Sequence, residues 1–213
     1  MKARKPEAKR NSSGRRESLS REGKSEVTQP RLLIISAPSG AGKTTLCEML
    51  IKEFSSIRLS ISTTTRPPRP YEKEGVHYFF VPVSEFQRRI DAGDFAEWAE
   101  VHGNRYGTSK TAIDRALKDG KHLLFDIDVQ GAMNLKKQFG GRAVLIFIHP
   151  PSMKVLQARL LARKGDSLPS IESRLQNAYN ELEWSKSFDY QITNDDLTTA
   201  YRELSEIIKK ECV

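Results

Sequence analysis

The stretch Arg31-Leu-Leu-Ile-Ile-Ser36, followed at once by Ala37-Pro-Ser-Gly-Ala-Gly-Lys-Thr44, leaves this chain few folds to choose from. The apolar run is continuous and too short for a helix, so it reads as a buried strand of a parallel sheet. From Lys43 the period changes. Leu46, Met49, Leu50 and Phe54 fall at i, i+3, i+4 and i+8, the stripe of a helix packed on that sheet. The loop between strand and helix matches the phosphate-binding pattern G-x-x-x-x-G-K-[ST], except that Ala37 stands at the first glycine. Such a loop wraps backbone N–H groups around phosphate oxygens, and Gly40 and Gly42 can make the turns this requires. Lys43 would neutralise the β- and γ-phosphates, Thr44 offers a hydroxyl to Mg²⁺, and the helix N-terminus adds partial positive charge. Nucleotide binding is therefore the expectation. Ala37 requires only that the backbone there tolerate a Cβ.

Two further strands are predicted, at 121–126 (KHLLFD) and 142–149 (RAVLIFIH), each separated from its neighbour by a helix-length segment. That alternation implies an α/β fold: a parallel sheet core flanked by helices. Helical stripes recur at Ile171, Leu175, Tyr179 and Leu182, and at Leu197, Ala200, Tyr201, Leu204, Ile207 and Ile208, with Asp195 or Asp196 as cap. Residues 60–110 differ, with prolines at 67, 68 and 70, strand-like pieces near Tyr78–Val81 and Glu97–Val101, and one helix over 84–92. This reads as a small β insertion able to hold a second ligand against the first.

The longest apolar run, Ala143–Ile148, is far short of the ~20 residues a membrane helix needs. Two cysteines, Cys47 and Cys212, are too few for a disulfide framework and suit a cytoplasmic setting. The formal net charge is +8, and residues 1–30 hold nine Lys/Arg against four Glu with no apolar period. That tail is expected to be disordered and solvated. A nucleic-acid-binding arm is disfavoured, and the glutamates argue against a transit peptide.

Asp126-Ile-Asp128 closes the strand Leu123-Leu-Phe125. Strand alternation would send both aspartates to one side, with Asp126 beside the phosphate loop as a water-mediated group for Mg²⁺. Asp128 could instead simply cap a helix beginning near Val129.

Taken together, APSGAGKTT, STTTRPPR, HYFF, FAEWAEVHGNRYGT, DIDVQG, RLLARKGDS and YQITND resemble the guanylate kinase family, in family order and over the whole predicted core. The resemblance implies Mg²⁺-dependent transfer of the ATP γ-phosphoryl group to GMP, and to dGMP, in purine nucleotide metabolism. It assigns ATP to Ala37, Pro38, Ser39, Gly40, Ala41, Gly42, Lys43, Thr44 and Thr45, with Asn194 near the adenine. It assigns the GMP phosphate to Arg66, Arg69, Tyr78 and Tyr106, whose charged forks and phenols suit a dianion. The guanine edge falls to Ser62 and Thr108 as hydroxyl donors and to Glu97 and Asp128 as acceptors, a pattern adenine cannot satisfy. Lys43, Arg159, Arg163 and Arg174 are the implied catalytic cations, the arginines belonging to a helical lid.

The implied organisation is a basic tail at 1–30, a core at 31–59, 111–150 and 175–213, a GMP-binding region at 60–110 and a lid near 151–174. Two alternatives are weighed: a guanylate-kinase-like scaffold module that binds phosphorylated peptides, and a kinase for another monophosphate. Intact Gly40, Gly42, Lys43 and Thr44 argue against the first. No ligand spacing links the four histidines, and oligomeric state is left open.

Overall fold

Leu32, Leu33, Ile34 and Ile35 are completely buried, and strand alternation divides them. Leu33 and Ile35 face one apolar layer; Leu32 and Ile34 face another. Only a strand covered on both sides satisfies such a run, and each side chain so buried contributes about 1.5–3 kcal/mol.

The structure, a computed structural model, describes residues 29–101, 103–162 and 168–212. The tail as far as residue 28 and Arg163 lie outside the described residues. The chain begins with β1 (Leu32–Ser36), α1 (Lys43–Glu53), β2 (Ile57–Leu59), β3 (Thr63–Thr64), β4 (Phe79–Phe80) and α2 (Val83–Asp91). It continues through β5 (Phe95–Val101), β6 (Asn104–Ser109), α3 (Lys110–Lys118), β7 (His122–Asp126), α4 (Val129–Phe139) and β8 (Ala143–His149). It ends with α5 (Met153–Leu161), α6 (Leu168–Trp184), β9 (Tyr190–Thr193) and α7 (Leu197–Cys212).

β2-β7-β1-β8-β9 form one parallel sheet. On one face Leu46 and Leu50 of α1 and Leu204 and Ile208 of α7 pack on it. On the other, Ile113 of α3 and Ala132 and Leu135 of α4 do so. The three strands expected from sequence are the three central ones. The edge strands β2 and β9 are short or half exposed, and so carry no continuous apolar run to announce them.

The second sheet, β4-β3-β6-β5, is mixed and lies wholly within residues 60–110. Phe86 of α2 seals it from beneath, stacked on Phe95 with ring centroids 4.6 Å apart. α5 and α6 share a small apolar cluster of Leu156, Leu160, Ile171 and Ala178. Arg174 stands in the middle of α6, which runs unbroken from Leu168 to Trp184. Among the described residues no helix is long and apolar enough to cross a membrane.

Candidate active site

β1 delivers the chain into the glycine loop, whose two conformational demands are explicit. Gly40 and Gly42 have φ of 96° and 95°, in a region that side-chain-bearing residues avoid, and Gly42 is the N-cap of α1. A Cβ at Gly40 would lie 3.1 Å from Leu156 and 3.2 Å from Leu160, so α5 rests directly on the loop.

Parallel pairing sets Asp126 opposite Ile35, one residue before β1 ends. The carboxylate thereby reaches both ends of the loop's chemistry. Lys43 Nζ sits 2.6 Å from Asp126 Oδ1 and donates to the Ile127 carbonyl at 3.0 Å. Thr44 Oγ1 donates to Asp126 Oδ2 at 3.2 Å. Burial works to lower the Lys43 pKa, but the charge and hydrogen bond of Asp126 more than reverse this and the net shift is upward. Lys43 is therefore a cation at any working pH. A hydroxyl and a carboxylate this close are the hard oxygen donors that Mg²⁺ selects, so the residues present fit that ion.

Asn194 lies behind the loop. Its buried side-chain amide donates to the Ala41 carbonyl at 2.7 Å, and its backbone carbonyl accepts from Arg159 Nη2 at 3.1 Å. Asn194 thus braces the loop and ties it to α5. From α6, Arg174 Nη1 donates to Ser39 Oγ at 2.9 Å, so a second arginine of the expected lid reaches the loop.

The second sheet supplies the opposite wall. Arg66 Nη2 is bonded to Glu72 Oε1 at 2.7 Å, and its guanidinium stands 5.4 Å from the centroid of Tyr78, itself edge-on to Tyr106. Glu72 also accepts from the Arg69 backbone N–H at 2.7 Å, while Arg69 Nη1 donates to Tyr71 Oη at 3.1 Å. Burial pushes the Glu72 carboxyl up, but bonds from Arg66 and Arg69 and their charges hold it below the usual range. Burial raises the Tyr78 phenol, which stays protonated and able to donate. Ser62 and Thr108 are buried on β3's approach and on β6.

Glu97 is on the inward face of β5, whose burial alternates along its length, and it is only 7% exposed. Thr108 Oγ1 donates to its Oε1 at 2.5 Å. Burial lifts the Glu97 carboxyl to about 7, opposed by the Thr108 bond and assisted by the charge of Asp128. Asp128 is the N-cap of α4, accepting from Gly131 N–H at 2.8 Å. Strand alternation does not extend to Asp128, contrary to expectation: β7 ends at Asp126, so Asp128 is carried by the turn into α4. It caps the helix through Oδ1, and its charge still acts on Glu97.

A cleft of about 870 Å³ joins these walls, lined by Thr44 and Asp126 at one end and by Ser62, Arg69, Glu72 and Tyr78 at the other. That is room for small ligands to meet end to end.

Two acids here went unnoticed in the sequence. Glu72 sits in a proline-fixed turn without any period to mark its direction. Glu181 did leave a signal: Ile171, Arg174, Ala178 and Glu181 follow a 3-4 spacing along α6, which sets a charge on its partly buried stripe. Burial raises Glu181 to about 7, with Lys43 pulling it down and Asp128 pushing it up.

The guanylate kinase family model matches residues 29–211. A guanylate kinase of Geobacter sulfurreducens is 50% identical over 182 residues, covering 85% of this chain and 89% of that protein. A guanylate kinase of Rhizobium etli is 47% identical over 180 residues, covering 84% and 82%. The crystal structure of guanylate kinase from Anaplasma phagocytophilum superimposes with a TM-score of 0.73 at 32% identity, covering 87% of this chain and 88% of that one.

Proposed function

The chain belongs to the guanylate kinase family, and on that premise we propose that it transfers the γ-phosphoryl group of ATP to GMP, and to dGMP. The observation that carries this is the cleft that runs from Thr44 and Asp126, at the end of the glycine loop, to Arg69 and Tyr78 of the second wall.

ATP lies along residues 37–45, with Lys43 against its terminal phosphates and Asn194 toward the base side. Thr44, and Asp126 through water, would hold Mg²⁺, which supplies charge neutralisation at the phosphates when bound. Arg66, Arg69, Tyr78 and Tyr106 grip the GMP phosphate; Ser62, Thr108, Glu97 and Asp128 read the guanine edge. A GMP phosphate oxygen forms the new bond to the γ-phosphorus as the bond to the bridging oxygen of ADP breaks. The attacking oxygen is already anionic near neutral pH, so the site needs no general base. Its work is alignment and neutralisation by Lys43, Arg159, Arg163 and Arg174.

In this reading residues 60–110 are the GMP-binding region and 151–174 the lid, whose closing would exclude water and limit ATP hydrolysis. Two cysteines and bacterial relatives support a cytoplasmic setting.

The test is ADP formation with GMP, dGMP, AMP, CMP and UMP in parallel. GMP and dGMP should be used far better than the rest. A preference for AMP would contradict the roles of Glu97 and Asp128, since their carboxylates would face an acceptor.

A further inference from the structure

Gly131 is the third residue of α4, in a turn where its backbone has no need of glycine. It is absent from the positive-φ glycines, and glycine is among the poorest helix formers. The space around it is another matter. A Cβ built at this position would lie 2.8 Å from Glu97 Oε2, 3.2 Å from Ile127 Cδ1 and 3.3 Å from Asp128 Oδ1. The first distance is shorter than packed side chains allow. Two carboxylates from different parts of the fold therefore converge on the place a side chain would fill.

Glu97 is closed in from the other side as well. Thr108 holds Oε1 at 2.5 Å, and the Gly131 N–H fixes Asp128 Oδ1 at 2.8 Å. An added methyl group could be absorbed only by turning the Glu97 carboxylate away from Asp128 and straining its bond to Thr108.

Resting on the assignment of Glu97 and Asp128 to the guanine edge, we infer that Gly131 is a positioning residue for base selectivity. Its missing side chain lets the Glu97 carboxylate close against the capping Asp128, so that both acceptors meet one edge of the base together. The proximity is unfavourable without donors between the two acids, and guanine N1–H and the N2 amino group are such donors.

The test is Gly131→Ala in the full-length enzyme, read by steady-state kinetics with GMP, AMP and ATP and by thermal unfolding. The KM for GMP should rise about 10- to 100-fold, and the preference for GMP over AMP should narrow, because a small misplacement of a binding group is expensive. The KM for ATP should stay within about twofold, and the unfolding temperature should hold or rise, since alanine favours the helix. In a Glu97→Gln background the same substitution should add little, because its damage passes through Glu97.

An unchanged KM for GMP would overturn the inference. So would equal losses for GMP and ATP, full additivity with Glu97→Gln, or loss of cooperative unfolding, which would mean that the backbone rather than Glu97 absorbs the methyl. If Glu97→Gln alone left the KM for GMP unchanged, the guanine assignment itself would fail, whatever Gly131→Ala does.

Discussion

The two ends of the cleft are built on opposite plans. At the glycine loop, the turn glycines, the cation and the hydroxyl are contiguous residues, 40 to 44, held between a buried strand and a helix whose inner face is buried. At the second sheet, strands of two to seven residues and the turns beside them bring together Ser62, Arg66, Tyr78, Glu97, Tyr106 and Thr108, and the turn into α4 adds Asp128. One end is a local device; the other is an assembly. A contiguous device keeps its shape wherever its strand and helix pack, whereas an assembly depends on each distant partner. Substitutions at the two ends should therefore fail differently.

The largest effect is expected at the local end. Lys43→Ala removes the cation proposed to face the transferring group, and kcat should fall about 10² to 10³-fold, or roughly 3–4 kcal/mol of transition-state stabilisation. Circular dichroism and unfolding should show an intact fold, because the strand and helix do not depend on this side chain. Near-normal turnover in the folded variant would break the contrast at its strongest point.

Glu97→Gln addresses the assembled end, where the loss should appear in binding. The KM for GMP should rise about 10- to 100-fold with little change in the KM for ATP. The pH dependence sharpens this. Folding raises the carboxyl from its ordinary 4.5 to about 7, so between those values the native state binds more protons than the unfolded chain. Its contribution to stability is complete below about 4.5 and is lost as the pH rises through 7. The glutamine variant should therefore be more stable than the parent at pH 8, by about 1–3 kcal/mol, and the gap should close near pH 5. Denaturant titrations at both pH values would measure it. Glu181 keeps its own slope of the same sign in both proteins.

The smallest effect is expected behind the loop. Asn194→Ala deletes the buried bond to Ala41 O, which should cost about 1–3 kcal/mol of stability and raise the KM for ATP only a few-fold. Thermal unfolding with and without ATP would show it. A loss as large as that of Lys43→Ala would mean that the loop is less self-sufficient than its contiguity suggests.

The contrast also explains what could be read in advance. Buried runs such as Leu123–Phe125 and Val144–Ile148 identify themselves, because a parallel strand must be apolar on both faces. β6 did not, since Asn104-Arg-Tyr-Gly-Thr-Ser109 is polar along most of its length and becomes a strand by pairing with β3 and β5. Arg66 was legible as a cation, but its bond to Glu72 was not, because prolines remove the period from which direction is inferred. Glu97 was assigned through family resemblance. Its burial and its closeness to Asp128 through Gly131 are properties of the packed sheet and helix.

By itself, then, the order of residues determined whatever a single turn or a single period can express: the strand, the glycine loop, the helix that follows, and the parallel core. Only the tertiary structure decided which distant groups touch. Arg174 meets Ser39 across 135 positions, and Thr108 closes on Glu97 because two antiparallel strands share a register. The physical reason is range. Backbone sterics and hydrophobic alternation act over a few residues, whereas a hydrogen bond or a pair of carboxylates is fixed in space by packing from several directions at once.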